Sequence, residues 1–174
     1  LRQAARLVPA ATFSIWSDYP MTKQVSAEEL EKLVGTALDN SDWLEITQER
    51  VDEFANATND HQFIHVDVEK AKASPFGGTI AHGFLTLSLV TYLVTENMLA
   101  PEGTAVTLNY GSDKVRYLSP VLVGQRIRAQ QVLAEAAEKK PGHWLCKINV
   151  TIEIEGSTTP ALIAEILFMH IVAG

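Results

Sequence analysis

The chain has 174 residues, 47% hydrophobic and 20% charged, which fits one globular domain with a sizeable core and excludes a disordered chain. Fourteen Lys and Arg against 21 Asp and Glu give a net charge of −7 with no basic cluster, which argues against nucleic acid or an anionic membrane as partner. Cys146 is the single cysteine, so there is no internal disulfide and no cysteine-based zinc site, as suits a reducing cytoplasm.

Residues 1–20 lack the long apolar stretch of a signal peptide and read as an N-terminal extension, with the domain running over 21–174. Ser26-Ala27-Glu28-Glu29 is a capping box, and Leu30, Leu33, Val34 and Leu38 follow at helical spacing, which predicts a helix over 27–38. Trp43 to Ile46 is a short strand candidate. Thr47 then caps a second helix with Val51, Phe54 and Ala55 on one face, ending at Thr58-Asn59-Asp60. A loop holds His61 to His65, and Asp67 caps a short helix that Pro75 ends.

Residues 73–95 carry no Asp, Glu, Lys or Arg, yet Pro75, Gly77, Gly78 and His82 interrupt the run. It reads as the approach to a core helix over about 81–99 rather than a membrane span. Phe84, Leu85, Leu87, Leu89, Val90, Tyr92, Leu93 and Val94 make that helix apolar nearly all round, so other structure must wrap it on most sides. After residue 103 the period switches to two. Val106, Leu108 and Tyr110 alternate with polar residues, and so do Ile148, Val150, Ile152 and Ile154. Residues 125–135 and 161–172 are further strands, separated by turn chemistry at Ser119-Pro120, Pro141-Gly142 and Gly156-Ser157. The expectation is an α+β domain in which an antiparallel meander wraps one long apolar helix.

Polar outliers gather before that helix: Asp60, His61, His65, Asp67 and His82. Asp60 and His65, five apart, would split acid and base roles if they converged on one water. Burial would raise the Asp60 pKa, and a close Asp would favour protonated His65. The alternative is that Asp60 caps a turn and His65 is a core residue. Ile80-Ala81-His82-Gly83 opens the apolar helix, where free backbone N–H groups can stabilise an oxyanion and Gly83 admits a close carbonyl. His61, His65 and His82 could form a three-histidine metal site, but Gln62 stands where a zinc-protease helix needs Glu, and no metal is expected. Cys146 lies in a strand pattern and reads as a small buried hydrophobe. Lys114, Arg116, Arg126 and Arg128 either meet phosphates of a large anionic carrier or form the solvated face of strands, the reading preferred for each.

These residues resemble the MaoC-like dehydratase family, and within it the nodulation-protein-N-like group. The resemblance is strongest over Asp42 to Leu93, through Asp42-Trp43, Ile46 to Val51, Asp60-His61-Gln62, Ile64-His65-Val66-Asp67 and Ile80 to Ser88. It implies the hot-dog fold, a homodimer, an acyl-CoA thioester substrate and no cofactor. The implied reaction is hydration of a trans-2-enoyl-CoA to an (R)-3-hydroxyacyl-CoA, or its reversal. Carried onto this chain, the resemblance makes Asp60 and His65 the catalytic pair holding one water, and the Gly83 N–H the thioester oxygen site. His82 shapes the motif, and Thr91, or Ser88 one turn away, supplies a hydroxyl that orients the Asp. Asn59 replaces the Gly often found before the catalytic Asp, and it tolerates the same left-handed turn. Gln62-Phe63 replaces a common Asn-Pro and points to the nodulation-N-like group. A hot-dog thioesterase and a non-catalytic acyl-CoA binder are the competing readings.

Overall fold

Residues 22–173 are described by a computed structural model. Side-chain caps start the helices where the sequence places them. Ser26 Oγ accepts from the Glu29 N–H at the head of α1 (Ala27–Lys32), after the short strand β1 (Lys23–Val25). Thr47 Oγ1 accepts from the Arg50 N–H at the head of α2 (Gln48–Thr58), and Asp67 accepts from the Lys70 N–H at the head of α4 (Val68–Lys72). The predicted extension over residues 1–20 lies outside the described residues.

α1 is shorter than its apolar spacing predicts. Gly35 at φ 89° turns the chain, its N–H donates to the Leu133 carbonyl, and Ala37–Leu38 becomes strand β2. The predicted strand at 43–46 is β3 (Leu44–Glu45). The predicted loop before His65 contains one helical turn, α3 (Phe63–Val66), so His65 sits on a helix end.

α5 spans Gly83–Thr95 and stops short of the predicted Leu99. The reason is non-local: Leu99–Pro101 forms β4, which pairs in parallel with β1. α5 is also covered less completely than its composition suggests. Leu85, Leu89, Val90, Leu93 and Val94 are buried, while Phe84 is 70% and Tyr92 52% exposed.

The strands β5 (Thr104–Tyr117), β6 (Arg126–Lys140), β7 (His143–Ile154) and β8 (Leu162–Val172) build one antiparallel sheet in the order β2-β6-β7-β8-β5, with β3 also on β6. β6, β7 and β8 form the expected meander. β5 departs from it: it pairs with β8, not with its chain neighbour β6, and so forms a sheet edge. Three register shifts along β5 bend that edge strand. One face of the sheet packs Ile127, Leu133, Ile148, Ile152, Leu162 and Phe168 into the same core as α5. Cys146 is fully buried there, which pushes its thiol pKa up to about 12 and leaves it an inert core residue.

Three of the four cations singled out from sequence pair with carboxylates on or just beyond a neighbouring strand. Lys114 meets Glu165, Arg126 meets Glu155, and Arg128 meets Glu153 while lying 4.5 Å over the Trp43 ring. They belong to the solvated sheet face, as preferred from sequence. The Arg116 guanidinium donates to the Val115 carbonyl. No helix among the described residues is long and apolar enough to cross a membrane.

Candidate active site

Three chain segments meet at the N-terminus of α5. The first is the turn after α2, where Asn59 takes the left-handed conformation (φ 59°) that the sequence anticipates and redirects the chain into Asp60. The second is α3, carrying His65. The third is the extended run Thr79–His82 leading into Gly83.

The segments are laced by main-chain bonds. The Ile80 N–H donates to the Ile64 carbonyl, the Ala81 N–H to Val121, and the Val123 N–H to Thr79. Gln48, in the first turn of α2, closes the circuit. Its amide N–H groups donate to the His65 carbonyl and to Asp52, both at 2.8 Å, and its oxygen accepts from the Thr79 hydroxyl at 2.6 Å. Sequence reasoning passed over Gln48 because its partners lie 17 and 31 residues away and no periodicity marks them. Gln48→Leu removes all three bonds while the rest of α2 keeps its packing. The expected result is a kcat lower by about 10²-fold with circular dichroism unchanged, since small misplacements of catalytic groups are that costly.

His65 is buried, and its Nδ1–H donates to the Ile80 carbonyl at 2.7 Å. A carbonyl can only accept, so in the neutral ring Nε2 carries the lone pair. Burial lowers the His65 pKa. The bond to the Ile80 carbonyl and the nearby Asp60 pull the other way but do not win, and His82 adds to the lowering. From sequence a close Asp60 would favour protonated His65; in the structure desolvation outweighs the carboxylate, and the net shift is downward.

Asp60 is exposed in the single chain, so the burial considered for it from sequence is not found there. Its carboxylate accepts a long bond, 3.4 Å, from the Gln62 N–H. Asp60 does converge with His65 as expected. Asp60, His65 and His82 each place one ligand-type atom within 4.8 Å of the others. A single water making two ordinary hydrogen bonds spans about that distance.

His61 is not part of this group; its Nε2 lies 3.0 Å from Asn56 Oδ1 on the surface. The His65 and His82 rings stack at 3.8 Å between centroids, 26° apart. Stacked rings send their in-plane lone pairs alongside each other, and one nitrogen of each is already bonded to a carbonyl. The trio is therefore better suited to moving a proton than to ligating a cation.

Gly83 is the first residue of α5, so its N–H has no intrahelical acceptor, and no side chain caps this end. It opens into a pocket of about 170 Å³ lined also by His65, Ala81, Thr86, Tyr117 and Ala161. A Cβ at position 83 would lie 3.1 Å from the Tyr117 ring, so a side chain here would have to push that ring aside by a few tenths of an ångström. His65 and Gly83 thus line one cavity.

Ser88 and Thr91 lie elsewhere. They line a second cavity, about 310 Å³, between α5 and β5 with Leu87 and Asn109. The Ser88 hydroxyl donates to the Phe84 carbonyl at 2.7 Å. Thr91 is eight residues past Gly83, about 12 Å along the helix axis. Within one chain neither hydroxyl bonds Asp60.

A match to the MaoC like domain covers residues 29–153. The chain belongs to the MaoC-like family. It is 44% identical over 146 residues to 3-hydroxyacyl-thioester dehydratase Z of Mycobacterium tuberculosis, covering 84% of this chain and 96% of the relative. It is 43% identical over 143 residues to nodulation protein N of Rhizobium meliloti, covering 82% and 89% respectively. The solved R-hydratase PhaJ1 of Pseudomonas aeruginosa superimposes with a TM-score of 0.62 at 21% identity, covering 80% of this chain and 83% of that one. The fold of this MaoC-like chain is therefore the hot dog.

Proposed function

We propose that this MaoC-like protein adds water to a trans-2-enoyl-CoA to give an (R)-3-hydroxyacyl-CoA, and catalyses the reverse dehydration. The observation that carries the reading is the convergence of Asp60 on His65, whose Nε2 is free, together with the pocket that His65 shares with the uncapped Gly83 N–H. A dehydratase of 3-hydroxyacyl thioesters among the relatives and an R-hydratase among the structural neighbours support the substrate class and the stereochemistry.

The chemistry needs one water and no cofactor. Asp60 accepts one hydrogen of the water and orients it. His65 Nε2 takes the other proton as the water oxygen bonds to the β-carbon. The alkene electrons move onto the thioester oxygen, where the Gly83 N–H meets the developing charge. The enolate then collapses, and the α-carbon takes the proton from His65 Nε2 on the same face. The base is restored and no proton is left over.

The active unit is a homodimer in this reading. The β5 edge leaves Val106, Leu108 and Tyr110 exposed, at 47%, 47% and 64%, and the exposed Phe84 of α5 meets Tyr117 of the same strand. An unpaired edge next to an apolar face is a liability that a second copy removes. Sedimentation should therefore give twice the chain mass at micromolar concentration, and Leu108→Lys should shift it to the monomer mass.

The direct test is an ultraviolet assay with crotonyl-CoA and a longer trans-2-enoyl-CoA. Loss of enoyl conjugation without thiol release supports the hydratase. Thiol release would instead mark a hot-dog thioesterase, and no change with either substrate would mark a binder.

A further inference from the structure

The His82 ring is 3% exposed and held on three sides. It stacks on His65 at 3.8 Å, packs against Phe54 at 5.1 Å, and its Nε2–H donates to the Asp60 carbonyl at 3.0 Å. Its Nδ1 is buried with no partner. An apolar ring would fill the space without an orphaned polar atom, so packing alone does not account for a histidine here.

We propose that His82 is a positioning residue that ties the Asp60 turn to His65, and that the two stacked rings act as one unit accepting a single proton. The proposal rests on the hydratase reading for its catalytic consequence, though not for the pairing itself.

The tie follows from geometry. The Asp60 side chain is exposed and weakly held, so the backbone bond from His82 is what fixes its turn beside α3. The shared proton follows from distance: two imidazolium ions with centroids 3.8 Å apart repel too strongly to coexist. The ionisable groups acting on His65 are His82, which opposes its protonation, and Asp60, which favours it; α2 contributes only Phe54 to this stack. His82 thus keeps His65 available as a base at lower pH. It also makes His65 quicker to return the proton to the α-carbon.

Two variants separate the roles. His82→Gln keeps an N–H donor for the Asp60 carbonyl but cannot titrate. It should retain kcat within about tenfold while the acid limb of kcat/KM moves up by about half a unit or more. His82→Phe keeps a stacked ring but loses the donor, and should lower kcat by about 10²-fold at near-normal KM. An unchanged acid limb in the Gln variant overturns the shared proton, and an unchanged kcat in the Phe variant overturns the tie. Should either variant misfold, nuclear magnetic resonance titration of the wild-type imidazoles decides. Coupled titration of the His65 and His82 signals is expected, and two independent single-site curves would overturn the pairing. That titration needs no substrate, so its outcome is separate from success or failure of the hydratase assay.

Discussion

Asp60→Asn is expected to lower kcat/KM for hydration of a trans-2-enoyl-CoA by about 10²–10⁴-fold while leaving the fold intact. The side chain is exposed and makes one long bond, to the Gln62 N–H, so little structure depends on its charge. What is lost is the negative charge and one of the two acceptor oxygens, replaced by an NH2 that can only donate, so the water is held less firmly and in a different orientation. His65→Asn should cost a similar factor for a different reason. The Asn amide can still donate to the Ile80 carbonyl where Nδ1 now does, but nothing replaces Nε2. The double variant should be scarcely worse than either single one, because groups that act on one water fail together. Steady-state assays on purified variants with matched thermal melts test this. Near-normal turnover in either single variant would remove that residue from the mechanism.

The second large effect concerns stability, and arises far from the pocket. His170 on β8 is fully buried opposite Trp144, with Nδ1 2.9 Å from the Thr107 hydroxyl and Nε2 without a partner. Burial pushes its pKa down to about 4 from an ordinary 6.5. Between those values the unfolded chain binds a proton that the folded chain refuses. Stability is therefore full above pH 6.5 and falls as the pH drops toward 4, by about 3 kcal/mol from this group. For a chain this size that is a melting shift of about 6–12 °C. Carboxylates with depressed pKa, such as Glu165 beside Lys114, also lose stability in acid, so the comparison must be differential. His170→Gln keeps a partner for Thr107 and does not titrate. Its melting temperature should fall less between pH 7 and pH 4 than that of the wild type, and parallel curves would refute the assignment.

What the sequence made legible was local or periodic. Ser26, Thr47 and Asp67 cap helices as their chemistry demands, and the two-residue period of Ile148 to Ile154 is a strand with one face in the core. The convergence of Asp60 and His65 was legible from their spacing because only a short turn and one helical turn join them.

What it hid was set by partners remote in the chain. α5 ends at Thr95 because residues 99–101 pair with β1, some 75 residues earlier. α1 yields to β2 because β6 offers Gln131 and Val132 as strand partners. The apolar sides of Phe84 and Tyr92 looked like core, yet one chain alone leaves them open. Gln48 looked like an ordinary first-turn residue, and only the folded chain shows it gripping the carbonyl of His65.

The most direct test of the central claim is product analysis after incubating the wild-type protein with crotonyl-CoA in D₂O. The account predicts (3R)-3-hydroxybutyryl-CoA carrying one deuterium at the α-carbon, delivered to the face that received the hydroxyl. Free coenzyme A with intact crotonate would contradict it, as would the (3S) product or an unreacted substrate.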